Sequence, residues 1–380
     1  MRNFAPAVVL IALVSLWPCT TDATEPAPAA PDTVAVPDPG EAWRLRGVTE
    51  PLREHPGGGQ RLLRTLGYIP YGLTAGYLNT RNNLFSLHLH GREDEAWLSL
   101  LSRFERKDNR PFYGLGPGSP DERADVHRQF VHNEISLNLR PAGDWLFSAS
   151  LYQRHTDLDD PERGLEDIGG DDRPTLSETH PRIYDQARVS RYEGLEFALS
   201  RDTRNDGDFS TAGAFVQVVG GVDLASSTGD GDYRHYSAEM QVFRDVWRGR
   251  ALALRLYAEG LDARRRDRIP YTEMAALCGR YTLRGFASER FRDLHACLAT
   301  VEYHYPVSTW LQGRIFGDWG MVAPDWRHVR PDRLEVSAGV ALAVRANGAP
   351  LTIQYARSEE GGHVYIGTGS VFGQKPRRQR

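Results

Sequence analysis

The segment EISLNLRPAGDWLFSASL, residues 134–151, carries the pattern that decides the fold. Ile135, Leu137 and Leu139 alternate with Glu134, Ser136, Asn138 and Arg140, which is the period of two imposed by a β-strand. The stretch from Pro141 to Asp144 supplies a turn, and Trp145, Phe147, Ala149 and Leu151 resume the apolar face on a partner strand. Two such runs joined by a tight turn form an antiparallel hairpin. The alternation returns at Leu252, Leu254, Leu256 and Ala258 against Ala253, Arg255, Tyr257 and Glu259. It returns again at Leu334, Val336, Ala338, Val340, Leu342 and Val344 against Glu335, Ser337, Gly339 and Arg345.

A soluble sandwich shows the same period, so the second face and the connections make the distinction. That face carries Arg, Glu, Tyr, Gln and Asp, as a wet barrel lumen would, and aromatics gather at strand ends. Connections alternate between short, as at 141–144 and 247–250, and long, as at 157–183. The expected fold is therefore all-β, a transmembrane antiparallel β-barrel of about 16 strands at roughly 9–11 residues per strand. Such a sheet must close, because an edge open to lipid strands its backbone donors and acceptors.

The rest of the chain fits export to an outer membrane. Residues 1–23 have one early basic residue, an apolar run from Ala5 to Trp17 and a small-residue ending, the layout of a cleaved signal peptide. Residues 24–60 are rich in Pro, Ala and Gly and read as a periplasmic linker, followed by the barrel at 61–372 and a basic tail at 373–380. The net charge of −4 and the lack of any later run of about 20 apolar residues exclude a helical membrane protein and give no sign of a nucleic-acid partner. The closing stretch VYIGTGSVF, 364–372, puts Val364, Ile366 and Phe372 on one face and ends on an aromatic, the expected assembly signal of the last strand. Cys278 and Cys297 remain in an oxidising compartment, where a disulfide and two free thiols are both open readings.

Over residues 62–372, and most strongly after 270, the chain resembles the outer-membrane assembly and translocation superfamily that includes BamA, TamA and the bacterial surface antigens. Leu277-Cys278-Gly279 followed by Leu283-Arg284-Gly285-Phe286 resembles that family's L-G-G and [VL]-R-G-[FY], with Cys278 where a glycine is usual. Arg290-Phe291-Arg292-Asp293 and Glu302-Tyr303-His304-Tyr305-Pro306 resemble its R-F-R-D and E-Y-R-[FY]-P. Phe316-Gly317-Asp318-Trp319-Gly320 matches F-x-D-x-G, and Gly348-Ala349-Pro350-Leu351 resembles the last hairpin. Weaker echoes lie at Phe112–Gly116 and Ser200–Arg204.

The resemblance implies an extracellular loop folded into the lumen, with Arg284, Gly285 and Phe286 at its tip and Arg284 paired to Asp318 on the inner wall. Phe316, Gly320, Arg290, Asp293 and Glu302 are its supporting positions. Strand parity agrees independently: Leu311, Ile315 and Trp319 share one face, leaving Gln312, Arg314 and Asp318 on the other. It further implies a non-enzymatic role in inserting or translocating proteins or lipids. Expected partners are outer-membrane lipid, client outer-membrane proteins and periplasmic assembly proteins. The 37 residues of the linker are too few for one of the periplasmic POTRA domains that BamA and TamA carry, so a passive pore or structural anchor is the alternative. No cofactor or metal is expected. His88 and His90 lack a third ligand, the acidic stretch 157–172 lacks a calcium-loop spacing, and no G-x-S-x-G occurs.

Overall fold

The computed structural model describes residues 96–372 except 120–121, 142, 160–173, 207, 227–230, 346–350 and 369–371, together with the backbone of 43–45, 72–78 and 82–91. The expected signal peptide, most of the expected linker and the basic tail lie outside the described residues. Alternating sequence becomes one antiparallel sheet. β1 (Trp43–Leu45) and β2 (Gly72–Leu78) both pair with β3 (Asn82–Gly91), and each later strand pairs with its neighbour in order. These are β4 (Ala96–Phe112), β5 (Ala124–Leu139), β6 (Trp145–Asp159), β7 (Val189–Asp202), β8 (Gly213–Ala225), β9 (Tyr233–Trp247) and β10 (Arg250–Ala263). After a long connection holding β11 (Ala275–Leu277) and β12 (Phe291–Asp293), the sheet resumes with β13 (His295–Pro306), β14 (Leu311–Ala323), β15 (Glu335–Val344), β16 (Leu351–Ser358) and β17 (Gly361–Thr368). Among the described residues the sheet has 15 strands, against about 16 expected from strand length.

Register follows the apolar pattern. Ile135 lies opposite Leu151 and Leu137 opposite Ala149, so that a slip by one residue would turn both strands over. The sheet is inverted relative to a soluble sandwich. Ile135, Leu151, Phe197, Leu224, Leu252, Ile315 and Val340 are exposed on its outer face, while Arg154, Asp223, Glu239, Arg255, Glu302, Arg314 and Asp318 are buried on its inner face. A bilayer reverses the usual cost of exposing apolar side chains, and this arrangement suits one. Among the described residues no helix is long and apolar enough to cross a membrane.

The longest connections, those after β4, β6, β10 and β14, lie at one end of the strands together with the two-residue β16–β17 turn, while the other end holds short ones such as that between Trp247 and Arg250 and a ten-residue one between β7 and β8. The β6–β7 connection carries two short helices, α1 (Leu176–Thr179), started by a Thr175/Glu178 capping box, and α2 (Pro181–Ala187). Leu176 and Ala187 pack with Phe112, Val126, Leu158 and Tyr271. The connection between β10 and β13 turns back onto the inner face. Its β11–β12 hairpin buries Leu277, Cys278, Leu283, Phe286 and Phe291 against Tyr257, Leu298 and Val322 of the wall.

Two expectations change, and one of two open readings is selected. Trp43–Leu45, inside the expected linker, pairs as a strand with Gly91 to Leu89. Phe372 does not share a face with Val364 and Ile366: those two are exposed, whereas Phe372 is 1% exposed, beyond the end of β17 at Thr368. Its ring meets Phe243 edge-on at 5.0 Å and His304 at 5.9 Å, and its carbonyl accepts from Arg204 Nη1 at 2.5 Å. Phe372 is not part of β17, so the alternation that fixed Val364 and Ile366 does not govern it. Cys278 and Cys297 are both free thiols. Cys278 belongs to the buried loop on the inner face, while Cys297 has the parity of Ala299 and Val301, opposite to buried Leu298 and Thr300, so the wall stands between them.

Candidate functional site

Arg284 is drawn to the wall from a loop whose apolar side chains have nowhere else to bury. Leu283 and Phe286 flank it and are both fully buried, which fixes the guanidinium over β13 and β14. Nε donates to Asp318 Oδ2 and Nη2 to Asp318 Oδ1, each at 2.8 Å, a bidentate fork that lysine lacks. The Arg284 backbone N–H donates to Oδ2 of the same carboxylate at 3.2 Å. Nη1 donates to Glu302 Oε1 at 2.6 Å and to Gln354 Oε1 of β16 at 3.1 Å, and Cζ stands 3.3 Å from the centre of the Phe316 ring. Asp318 Oδ1 also accepts from Thr300 Oγ1 at 2.8 Å, and His304 Nε2 lies 2.8 Å from Glu302 Oε2.

Burial by itself would pull the Arg284 guanidinium down, but Asp318 and Glu302 outweigh it and hold the group above its ordinary pKa. A cation so held with two carboxylates is a permanent structural charge. Removing it would leave two buried acids without their counter-ion, at a cost of about 3–5 kcal/mol.

The loop tip reaches the terminal strand as well. Gly285 N donates to Tyr365 Oη at 3.2 Å, Tyr365 Oη donates to Phe286 O at 3.1 Å, and Ser358 Oγ donates to Gly285 O at 2.6 Å. The Arg280 guanidinium lies directly against Gly367 of β17. Gly285 has φ +87°, and a Cβ there would stand 3.0 Å from the Arg357 backbone, so only glycine fits the tip. At Gly320 a side chain would crowd Leu277 and Leu298, and its absence lets β11 lie against the wall.

The supporting positions divide. Phe316 and Glu302 join Arg284. Arg290 turns away from Asp318: its Nε donates to Glu360 Oε1 at 2.8 Å, and Nη1 and Nη2 donate to Ser119 Oγ and O at 2.8 and 3.0 Å. It thus ties the loop to the β4–β5 and β16–β17 connections. Asp293 accepts from the Leu294 N–H at 2.7 Å, and burial raises its pKa. The Phe112–Gly116 echo also meets the loop, through Gly116 N donating to Arg292 O at 2.8 Å.

A second anchor was not singled out from the sequence. Glu273, near the start of the same loop, lies 3.0 Å from Arg154 Nη2 of β6 and accepts from Tyr233 Oη at 2.7 Å. Arg154 also pairs with Asp223, which accepts from Tyr152 Oη at 2.7 Å and lies 2.6 Å from His235 Nδ1. The available signal was strand parity: Arg154, Asp223 and His235 all occupy inward positions. Among the described residues no group of His, Cys, Asp and Glu is arranged to hold a metal.

Residues 122–372 match the model of the Omp85 superfamily domain. The chain belongs to the Omp85 superfamily. No curated protein matches it. Among solved structures it is similar to BamA from Haemophilus ducreyi lacking POTRA domains 1-3, at TM-score 0.57 and 16% identity. That match covers 79% of this chain and 64% of the BamA chain, so this chain spans somewhat less than two thirds of the structure it resembles. The Pseudomonas putida toluene transporter TodX gives TM-score 0.33, 11% identity and coverage of 75% of this chain and 80% of its own. A deltaS2 mutant of the TodX monoaromatic hydrocarbon channel gives 0.33, 10%, 78% and 84%. The BamA-like fold and the superfamily make this an outer-membrane β-barrel protein of a generally non-enzymatic family.

Proposed function

We propose that the sheet closes into a barrel between β17 and the β2–β3 edge, and that this seam opens to help insert or translocate proteins or lipids at the outer membrane. Residues 1–23 would direct export, 24–60 would lie on the periplasmic side and 61–372 would form the barrel. The observation that carries the reading is the attachment of the loop tip through Tyr365 to β17, one of the short strands that would form the seam. β17 pairs with β16 over 8 residues and β2 with β3 over 5, whereas β9 and β10 pair over 14. A seam of short strands has the fewest backbone bonds to break, and an exposed edge is a template for a client strand. Arg284, Gly285, Phe286 and Asp318 would form the latch that sets the position of β17, with Phe316, Glu302, Gly320, Arg290 and Asp293 supporting the loop.

The test is a cysteine pair joining 72–78 to 361–368, placed in a chain without Cys278 and Cys297, with insertion of an unfolded outer-membrane barrel into liposomes as the readout. Oxidation should stop insertion and reductant restore it; full activity while locked would overturn the mechanism. A passive pore is the competing reading. The burial of the loop and of Phe372 on the inner face favours a filled interior, and a steady planar-bilayer conductance would favour the pore.

A further inference from the structure

The two connections that leave β10 and β14 at the long-loop end carry an unusual concentration of positive charge. Residues 262–268 and 325–333 hold seven arginines against four aspartates, in a chain whose net charge is −4. Arg264, Arg265, Arg266 and Arg268 of the first connection and Arg327, Arg330 and Arg333 of the second are all exposed. Arg234, also exposed, ends the outer face of β9 opposite Asp262.

The display is built on fixed backbone. Gln186 Nε2 of α2 donates to Asp267 O at 2.6 Å and to Ile269 O at 3.1 Å, and Ile269 is buried among Tyr192, Tyr233, Leu261 and Leu294. Asp325 accepts from Arg327 N at 2.9 Å and lies 2.7 Å from His328 Nδ1. Arg266 joins the two connections, with Nη1 donating to Pro324 O at 3.3 Å and lying 3.8 Å from Asp325.

Beneath this basic rim the outer face changes character. Going along β9, the outward positions Val242, Met240 and Ala238 are apolar and are followed by Tyr236. Tyr236 Oη accepts from Trp326 Nε1 of the second connection at 2.7 Å, and the Trp326 ring meets His295 edge-on at 5.0 Å. An aromatic pair with polar tips at the end of an apolar band marks the boundary between hydrocarbon and headgroups. Arginine forks directly above it match phosphate oxygens in geometry and charge.

We propose that this rim binds the phosphate groups of a phosphorylated glycolipid in the outer leaflet, with the acyl chains lying along the apolar face below Tyr236 and Trp326. The inference rests on reading the long connections as external in an outer-membrane barrel.

The experiment is native mass spectrometry of the detergent-solubilised full chain, titrated with bisphosphorylated lipid A, with lipid A stripped of both phosphates and with phosphatidylglycerol. The bisphosphorylated lipid should bind at least about tenfold more tightly than the stripped one, since several arginines act on it together, and added salt should narrow the gap. Changing Arg264, Arg265, Arg266, Arg268, Arg327 and Arg330 together to Gln should remove that preference, with heat-modifiability checking that the variant is folded. Equal binding of the two lipid A forms by the unaltered chain would overturn the proposal without need of any variant. Phosphatidylglycerol binding as tightly as lipid A would also overturn it, in favour of general attraction to anionic lipid. Location is checked separately by membrane fractionation and external protease. A chain found outside the outer membrane would sink the topological reading while the lipid selectivity measured in detergent still stood or fell by itself.

Discussion

The in-folded loop is fixed at two points of opposite polarity. Near its start it presents an acid, Glu273, to a wall arginine, Arg154; at its tip it presents an arginine, Arg284, to the wall acids Asp318 and Glu302. The chemistry is alike, but the walls differ. Arg154 stands in β6, which pairs with β5 and with β7 over 13 residues each. Asp318 and Glu302 stand in β14 and β13, which pair over 12 residues, but the tip that carries Arg284 also reaches β16 and β17, which are 8 residues long. Long ladders hold the first wall whether or not Glu273 is present. β16 and β17 have fewer backbone bonds, so a larger share of their order comes from the loop.

The sharpest way to break this comparison is Arg284→Ala. It should cost about 3–5 kcal/mol in a urea unfolding series, because Asp318 and Glu302 stay buried without their cation. Hydrogen exchange should rise in β17 and β16 while β6 stays protected; uniform exchange across the sheet would show that the tip does not specifically order the terminal strands. Arg284→Lys keeps the charge and loses the fork, and should fall between the two.

Glu273→Gln comes next, at about 1.5–3 kcal/mol, since Arg154 keeps Asp223 and only one charged hydrogen-bonding partner is weakened. Its exchange signature should be confined to the loop and to β6. If β17 loosened as much as it does in Arg284→Ala, the two anchors would be one cooperative unit. Tyr365→Phe should cost less, about 1–2 kcal/mol for two neutral hydrogen bonds, and should raise exchange in β17 without disturbing the Arg284–Asp318 pair.

The wall was legible in the sequence because its signal is local. A strand alternates whatever lies across from it, and that alternation put Gln312, Arg314 and Asp318 on the buried face. The motif around Arg284 was legible through its family resemblance, which gave Asp318 as its partner and Glu302 and Phe316 among the supporting positions. Gln354, Tyr365 and Ser358 lie 70 or more residues away from the loop tip, and nothing in their own neighbourhoods marks them as loop contacts. Glu273 was hidden differently: it sits in a short 3₁₀ turn with no period, so parity gave no hint that it faces Arg154. Phe372 departs from the alternation expected of it because it lies beyond Thr368, the last residue of β17. Arg204 was available as an echo of a motif, but its grip on the Phe372 carbonyl joins residues 168 apart.

The smallest expected effect concerns Cys278, which occupies a position where the family resemblance calls for glycine. Its φ is +88°, in the left-handed region that costs an ordinary residue about 1–2 kcal/mol. The thiol is also fully buried among Leu277, Leu283 and Phe286, and burial pushes its pKa up, so it packs as a small apolar group. Cys278→Gly would relieve the backbone and lose the packing, leaving stability within about 1 kcal/mol of the original. Cys278→Ala would lose the sulfur contacts and keep the strained backbone, and should therefore be the less stable of the two. Elsewhere glycine is usually the costlier choice, by roughly 0.5–1 kcal/mol in regular structure. A urea midpoint that placed Ala above Gly at this position would show that packing, not backbone conformation, governs the turn leading to Arg284.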